Sequence, residues 1–151
     1  MDLETTTIKN YFNLAFANMD KVLDRLDDET VNVRPDGWGT NSVAGLITHC
    51  CALAPSWLET PGLGRETIRD REAEFATTAT IAELRSAIEA TNAKIGPLVD
   101  EFVAGPTALD HELRVFLPGD DRSDGALVLH VFEELFQHVG HMDVTADALT
   151  G

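Results

Sequence analysis

His130, Glu134, His138 and His141 follow one another at spacings of four, four and three residues. On an α-helix these side chains fall within an arc of roughly 80°. Leu127, Val131, Leu135 and Met142 of the same stretch form an apolar stripe that this arc overlaps. One helix therefore points three imidazoles and a carboxylate toward the core or along its edge. Glu134 has no Lys or Arg within one helical turn, and Glu133 and Asp143 add like charge. A buried carboxylate without a partner is costly. A divalent cation removes that cost, and residues at i and i+4 stand side by side, so Glu134 and His138 can share one ion. His130 and His141 remain rivals on the same arc. A hydrogen-bonded polar network or a solvated helix edge would also satisfy this spacing, because many helices contain E-x-x-x-H.

The residues need a scaffold. Four segments show helical periodicity and none shows sustained alternation. The first runs from Leu3 to Asp27, with Ile8, Phe12, Ala15, Met19, Val22 and Leu26 on one face. The second follows the turn Asp36-Gly37-Trp38-Gly39, with Thr40 or Asn41 as its cap and Val43, Leu46, Ile47, Cys50 and Leu53 as its stripe. The third follows Thr80, with Glu83 as the capping-box partner. The fourth starts at Ser123 or Asp124 and runs toward Leu149. The connections Glu59 to Ala79 and Gly105 to Arg122 are long enough to carry function or cover something. The expected architecture is all-α, a four-helix bundle with a crossover connection, in one domain over residues 1–151.

A further ligand must come from another helix. His49, beside the stripe of the second segment, is the best candidate, and His111 reads as a solvated loop residue. Arg69 and Arg71 offer bidentate contacts to a substrate carboxylate, or else pair with Asp70, Glu72 and Glu74. Trp38 and Trp57 flank the second segment as packing or as pocket walls. Cys50 points about 100° away from His49 on a helix and is not nominated as a nucleophile. The adjacent Cys50 and Cys51 read as reduced thiols.

The bulk composition limits the partners. The chain has 151 residues, 44% hydrophobic, with 26 acidic against 11 basic residues and a formal net charge of −15. A broad basic surface for nucleic acid or an anionic membrane is excluded. The N-terminus MDLETTTIKN has neither a basic nor an apolar leader region, and no stretch has the length of a membrane span. A cytoplasmic location is expected, and a homodimer through an exposed helix face.

At the pieces WGTNSVAGLITHC, RDREAEF and HVFEELFQHVGHMD the sequence resembles the DinB-like superfamily. Within it the pattern is similar to the metal-binding domain of the mycothiol-dependent maleylpyruvate isomerase type. The resemblance implies a four-helix bundle holding one divalent metal ion, zinc or else nickel or iron. One histidine on the second helix and a Glu-His pair on the last helix would hold it, here His49, Glu134 and His138. It implies that His141, and with less support His130, backs those ligands or binds the ion occasionally. It also implies a thiol co-substrate such as mycothiol or bacillithiol and an electrophilic small molecule, hence an S-transferase or a thiol-dependent isomerase. The longer isomerases carry a further C-terminal domain, which the 151 residues are not expected to include, and the maleylpyruvate reaction itself is therefore not expected. A non-catalytic metal- or small-molecule-binding protein and a hydrolase using metal-bound water are the competing readings.

Overall fold

The computed structural model describes residues 3–37, 39–105, 117–121 and 123–151; Trp38 and His111 lie outside them. Among the described residues there is no strand, and the architecture is an all-α bundle. Its long helices are α1 (Thr5–Leu23), α2 (Val43–Trp57), α4 (Ile81–Ala104) and α5 (Asp124–Thr150), with the short α3 (Arg71–Phe75) between α2 and α4.

The helices begin where their caps allow. The Ser42 hydroxyl accepts from the Gly45 N–H and starts α2. Thr40 lies in the loop before the helix, where its hydroxyl donates to the Pro35 carbonyl at 2.6 Å. Thr80 and Glu83 form the reciprocal capping box of α4, and the Ser123 hydroxyl caps α5. α1 stops at Leu23, short of the expected Asp27. The Asp27 carboxylate instead accepts the N–H groups of Glu29 and Thr30, offering the backbone a turn in place of further helix.

α1 packs against α4 and α5, and α2 packs against the same two helices. The sequence neighbours α1 and α2 therefore sit across a diagonal, as do α4 and α5. This is the crossover arrangement, and it makes α2 and α5 direct neighbours. Phe12, Phe16, Met19, Leu46, Ile47, Leu84, Ile95, Phe102, Leu127 and Leu135 fill the shared core. Beyond α2 the chain continues through one wide π-type turn, Leu58–Gly62. A Cβ on Gly62 would stand 2.8 Å from the Phe102 ring, so glycine is what lets this turn close onto α4. No helix among the described residues is long and apolar enough to cross a membrane.

Candidate metal centre

The site is built on α2, nearly two turns beyond its start at Val43. Gly45 and His49 are four residues apart and share a face. A Cβ on Gly45 would lie 2.6 Å from the Phe75 carbonyl oxygen, so only glycine lets the backbone of α3 come this close. The Asp70 side chain caps α3 by accepting from the Ala73 N–H. The docked turn then delivers two side chains to His49. Phe75 stacks on the imidazole with ring centroids 4.3 Å apart and planes 22° apart. Glu74, itself buried, brings Oε2 to 2.8 Å from His49 Nδ1.

Arg69 fixes that carboxylate from the other side. Its Nε donates to Oε1 at 2.9 Å and a terminal nitrogen donates to Oε2 at 2.7 Å. Burial pushes the Glu74 pKa up, but the hydrogen bonds from Arg69 and His49 outweigh it and hold the group below its usual value. A carboxylate here accepts from Nδ1–H. The other ring nitrogen, Nε2, then carries the lone pair. His49 is 2% exposed, and its Nε2 is buried with no hydrogen-bond partner.

α5 supplies the side chains that gather beside His49. Ligand atoms of His49, Glu134 and His138 all lie within 4.8 Å of one another. Glu134 Oε2 is 3.6 Å from His138 Nε2. Two ligands bonded at about 2.1 Å to one tetrahedral ion stand roughly 3.4 Å apart, close to that separation. The His49 and His138 rings meet edge to face at 4.9 Å. Burial lowers the His49 pKa against the opposing pull of Glu74. Burial, with His49 alongside, pushes His138 down to about 4. Both rings are therefore neutral near pH 7, the form that binds a cation. The donor set, the orphaned Nε2 and the carboxylate behind His49 fit a divalent ion.

The remaining candidates spread around this group. His141 is half-buried one turn beyond His138 and does not join the three-residue cluster. His130 lies edge-on to Trp57 at 4.6 Å, and with Glu133 and Glu134 it forms a second, more open group of possible ligands. Trp57 and Arg69 line a cleft of about 330 Å³ with Ser56, Thr60, Pro61 and Thr67. Arg71 lies over the Phe75 ring at 5.4 Å and lines a separate cleft. Arg69 is thus committed to Glu74, the pairing weighed against substrate binding from the sequence. Cys50 is fully buried, and burial raises its pKa well above the usual thiol range; burial raises Cys51 as well.

Sequence reasoning treated Glu74 only as a surface partner for the arginines and did not single out Phe75. A signal was present: in REAEF a glutamate precedes an aromatic residue inside a long connection, where an orienting carboxylate for His49 had to be sought. A family model described as mycothiol-S-transferase matches residues 7–151. No curated protein and no solved structure matches the chain.

Proposed function

We propose, because the chain belongs to the mycothiol-S-transferase family, that it joins mycothiol to an electrophilic small molecule beside a divalent metal ion, zinc in the first instance, held by His49, Glu134 and His138. The observations that carry the metal reading are the buried, unpartnered Nε2 of His49 and the clustering of His49 with Glu134 and His138. When bound, such an ion lowers the pKa of a thiol that reaches it and so supplies a nucleophile at neutral pH.

The chain's own residues do the rest. Glu74 holds the His49 proton on Nδ1, and Arg69 keeps Glu74 ionised and oriented. The acceptor nitrogen of His49 is thereby directed at the site without any rearrangement. Phe75 covers the His49 ring and keeps water from it. Neither cysteine supplies the nucleophile, because burial keeps both thiols protonated, so the reacting sulfur must arrive with a co-substrate. The cleft beside Arg69 suits a thiol carried on sugar hydroxyls. Thr67 Oγ1 lies 2.8 Å from Ser56 Oγ and 2.6 Å from Thr60 Oγ1, giving a row of three hydroxyls next to Trp57.

Elemental analysis together with a mycothiol-conjugation assay on a bimane electrophile tests this reading. About one ion per chain and turnover that needs mycothiol are expected. Glu134→Ala should lose both the ion and the turnover while the helical signal stays. Stoichiometric metal with no thiol-dependent turnover would defeat the transferase reading. Protein that takes up no zinc, nickel or iron would defeat the site. Turnover with bacillithiol in place of mycothiol, or isomerisation without net conjugation, would redirect the chemistry at the same residues.

A further inference from the structure

With 26 acidic residues for 11 basic ones, an arginine in this chain meets a carboxylate by default. Arg25 pairs with Asp143 and Asp147, Arg65 with Glu101, Arg69 with Glu74, and Arg85 with Asp20 and Asp24. Among the described residues only two arginines, Arg34 and Arg71, have no carboxylate within 4.0 Å, the ion-pair limit. Both line the same cleft, about 580 Å³, whose wall includes Phe75 and Asn41. Glu72 also borders this cleft but pairs with neither arginine.

Local contacts hold the two guanidinium groups without using up their donors. Arg34 Nε donates to Thr40 Oγ1 at 3.3 Å, and Thr40 is itself anchored on the Pro35 carbonyl at 2.6 Å. Arg71 rests on the Phe75 face at 5.4 Å. The terminal nitrogens of both are left for a planar anion, which guanidinium binds in a two-pronged fashion. Phe75 connects this cleft to the ligand group. Its ring centroid is 4.3 Å from that of His49 and 6.3 Å from that of His138. A molecule with its anion at Arg34 and Arg71 would lie against Phe75, the residue that this cleft shares with the ligand group.

We propose that Arg34 and Arg71 form a subsite for a carboxylate carried on the electrophilic substrate, so that the protein prefers anionic electrophiles. This rests on the transferase reading. The hydroxyl-lined cleft beside Trp57 is left for the thiol, which assigns the anion to the electrophile. With 4-(chloromethyl)benzoate as the electrophile, the thiolate sulfur bonds to the benzylic carbon. The carbon–chlorine bond breaks, chloride leaves with the bonding pair, and the thiol proton passes to solvent. No oxidant or reductant is needed.

Two measurements test it. Ligand-observed NMR titration compares 4-methylbenzoate with 4-methylbenzamide on the wild-type chain, on Arg34→Gln/Arg71→Gln and on Arg65→Gln. The carboxylate should bind about tenfold more tightly than the amide to the wild type and to Arg65→Gln, a difference of 1.4 kcal/mol. That preference should vanish in the double variant with amide binding unchanged. In the conjugation assay the double variant should raise KM for 4-(chloromethyl)benzoate and leave both kcat and the KM for mycothiol unchanged. A rise in the mycothiol KM alone would place the anion on the thiol and overturn the assignment. Equal binding of carboxylate and amide, with conjugation intact, would overturn the subsite and leave the transferase reading standing. Carboxylate preference lost in the double variant, with no conjugation in any protein, would uphold the subsite and sink the transferase reading.

Discussion

A single proton on His49 decides what the site can accept. The Glu74 carboxylate holds that proton on Nδ1, which leaves Nε2 as the acceptor. Removing such an orienting carboxylate typically costs about 10–100-fold in metal affinity. Glu74→Ala should show a loss of this size in a chelator competition, and Glu74→Gln, which still accepts from Nδ1–H, should recover part of it. Equal affinities in all three proteins would mean that Glu74 does not orient the ring. His138 gives a pH signature. Its folded-state pKa is about 4 against an ordinary value of 6.5, chiefly through burial. The unfolded chain therefore binds this proton first as pH falls. The stabilisation is complete above about pH 6.5 and disappears as pH drops through about 4. The lowered pKa of His49 acts in the same sense. Metal-free protein should melt at steadily lower temperature from pH 7 to pH 4.5, and a flat profile would contradict the burial argument. The spacing of Glu134 and His138 was legible because both lie on one helix. Glu74 was not, because its partner is 25 residues away and joins it only through the docking of α3.

At the scale of elements, the contact between α2 and α3 does most to shape the site. Gly45→Ala forces a methyl group against the Phe75 carbonyl, a backbone atom with little freedom to yield. Overpacking of this kind costs about 1–3 kcal/mol. Urea unfolding should show that loss, and a thermodynamic cycle should show weakened metal binding as Glu74 and Phe75 leave His49. A variant with wild-type stability and affinity would show that α3 docks without the close approach. The long helices were readable from periodicity, and the Thr80–Glu83 capping box from its residues alone. The five residues of α3 make little more than one turn, too short for any period to register. The start of α2 was misplaced by one or two residues because Thr40, Asn41 and Ser42 are all good caps and the fold of the preceding loop decides among them. The wide turn at Leu58–Gly62 was hidden for a similar reason: it depends on the Phe102 ring that Gly62 admits.

Across the whole molecule, a net charge of −15 sets acidic surfaces against one another. Arginine and lysine ties between helices offset part of this, as Arg85 joins α4 to Asp20 of α1 and Lys9 of α1 joins Asp100 of α4. Exposed pairs of this kind contribute little, about 0–1 kcal/mol each. The repulsion is many-bodied and should dominate. Thermal melting in 0.5 M sodium chloride should therefore occur at a higher temperature than at low salt, where the Debye length is about 30 Å. A lower melting temperature at high salt would mean that the ties outweigh the repulsion. The all-α class was legible from the pattern, whereas the order of helices around the bundle was not, since periodicity assigns faces without naming neighbours. That order has a topological consequence. Because α2 lies beside α5, an ion held by His49 and Glu134 would close a loop of about 85 residues and act as a removable crosslink, most effective when it joins distant parts of a chain. The stability of the folded protein would then follow the free metal concentration around it, as any ligand that binds only the native state dictates.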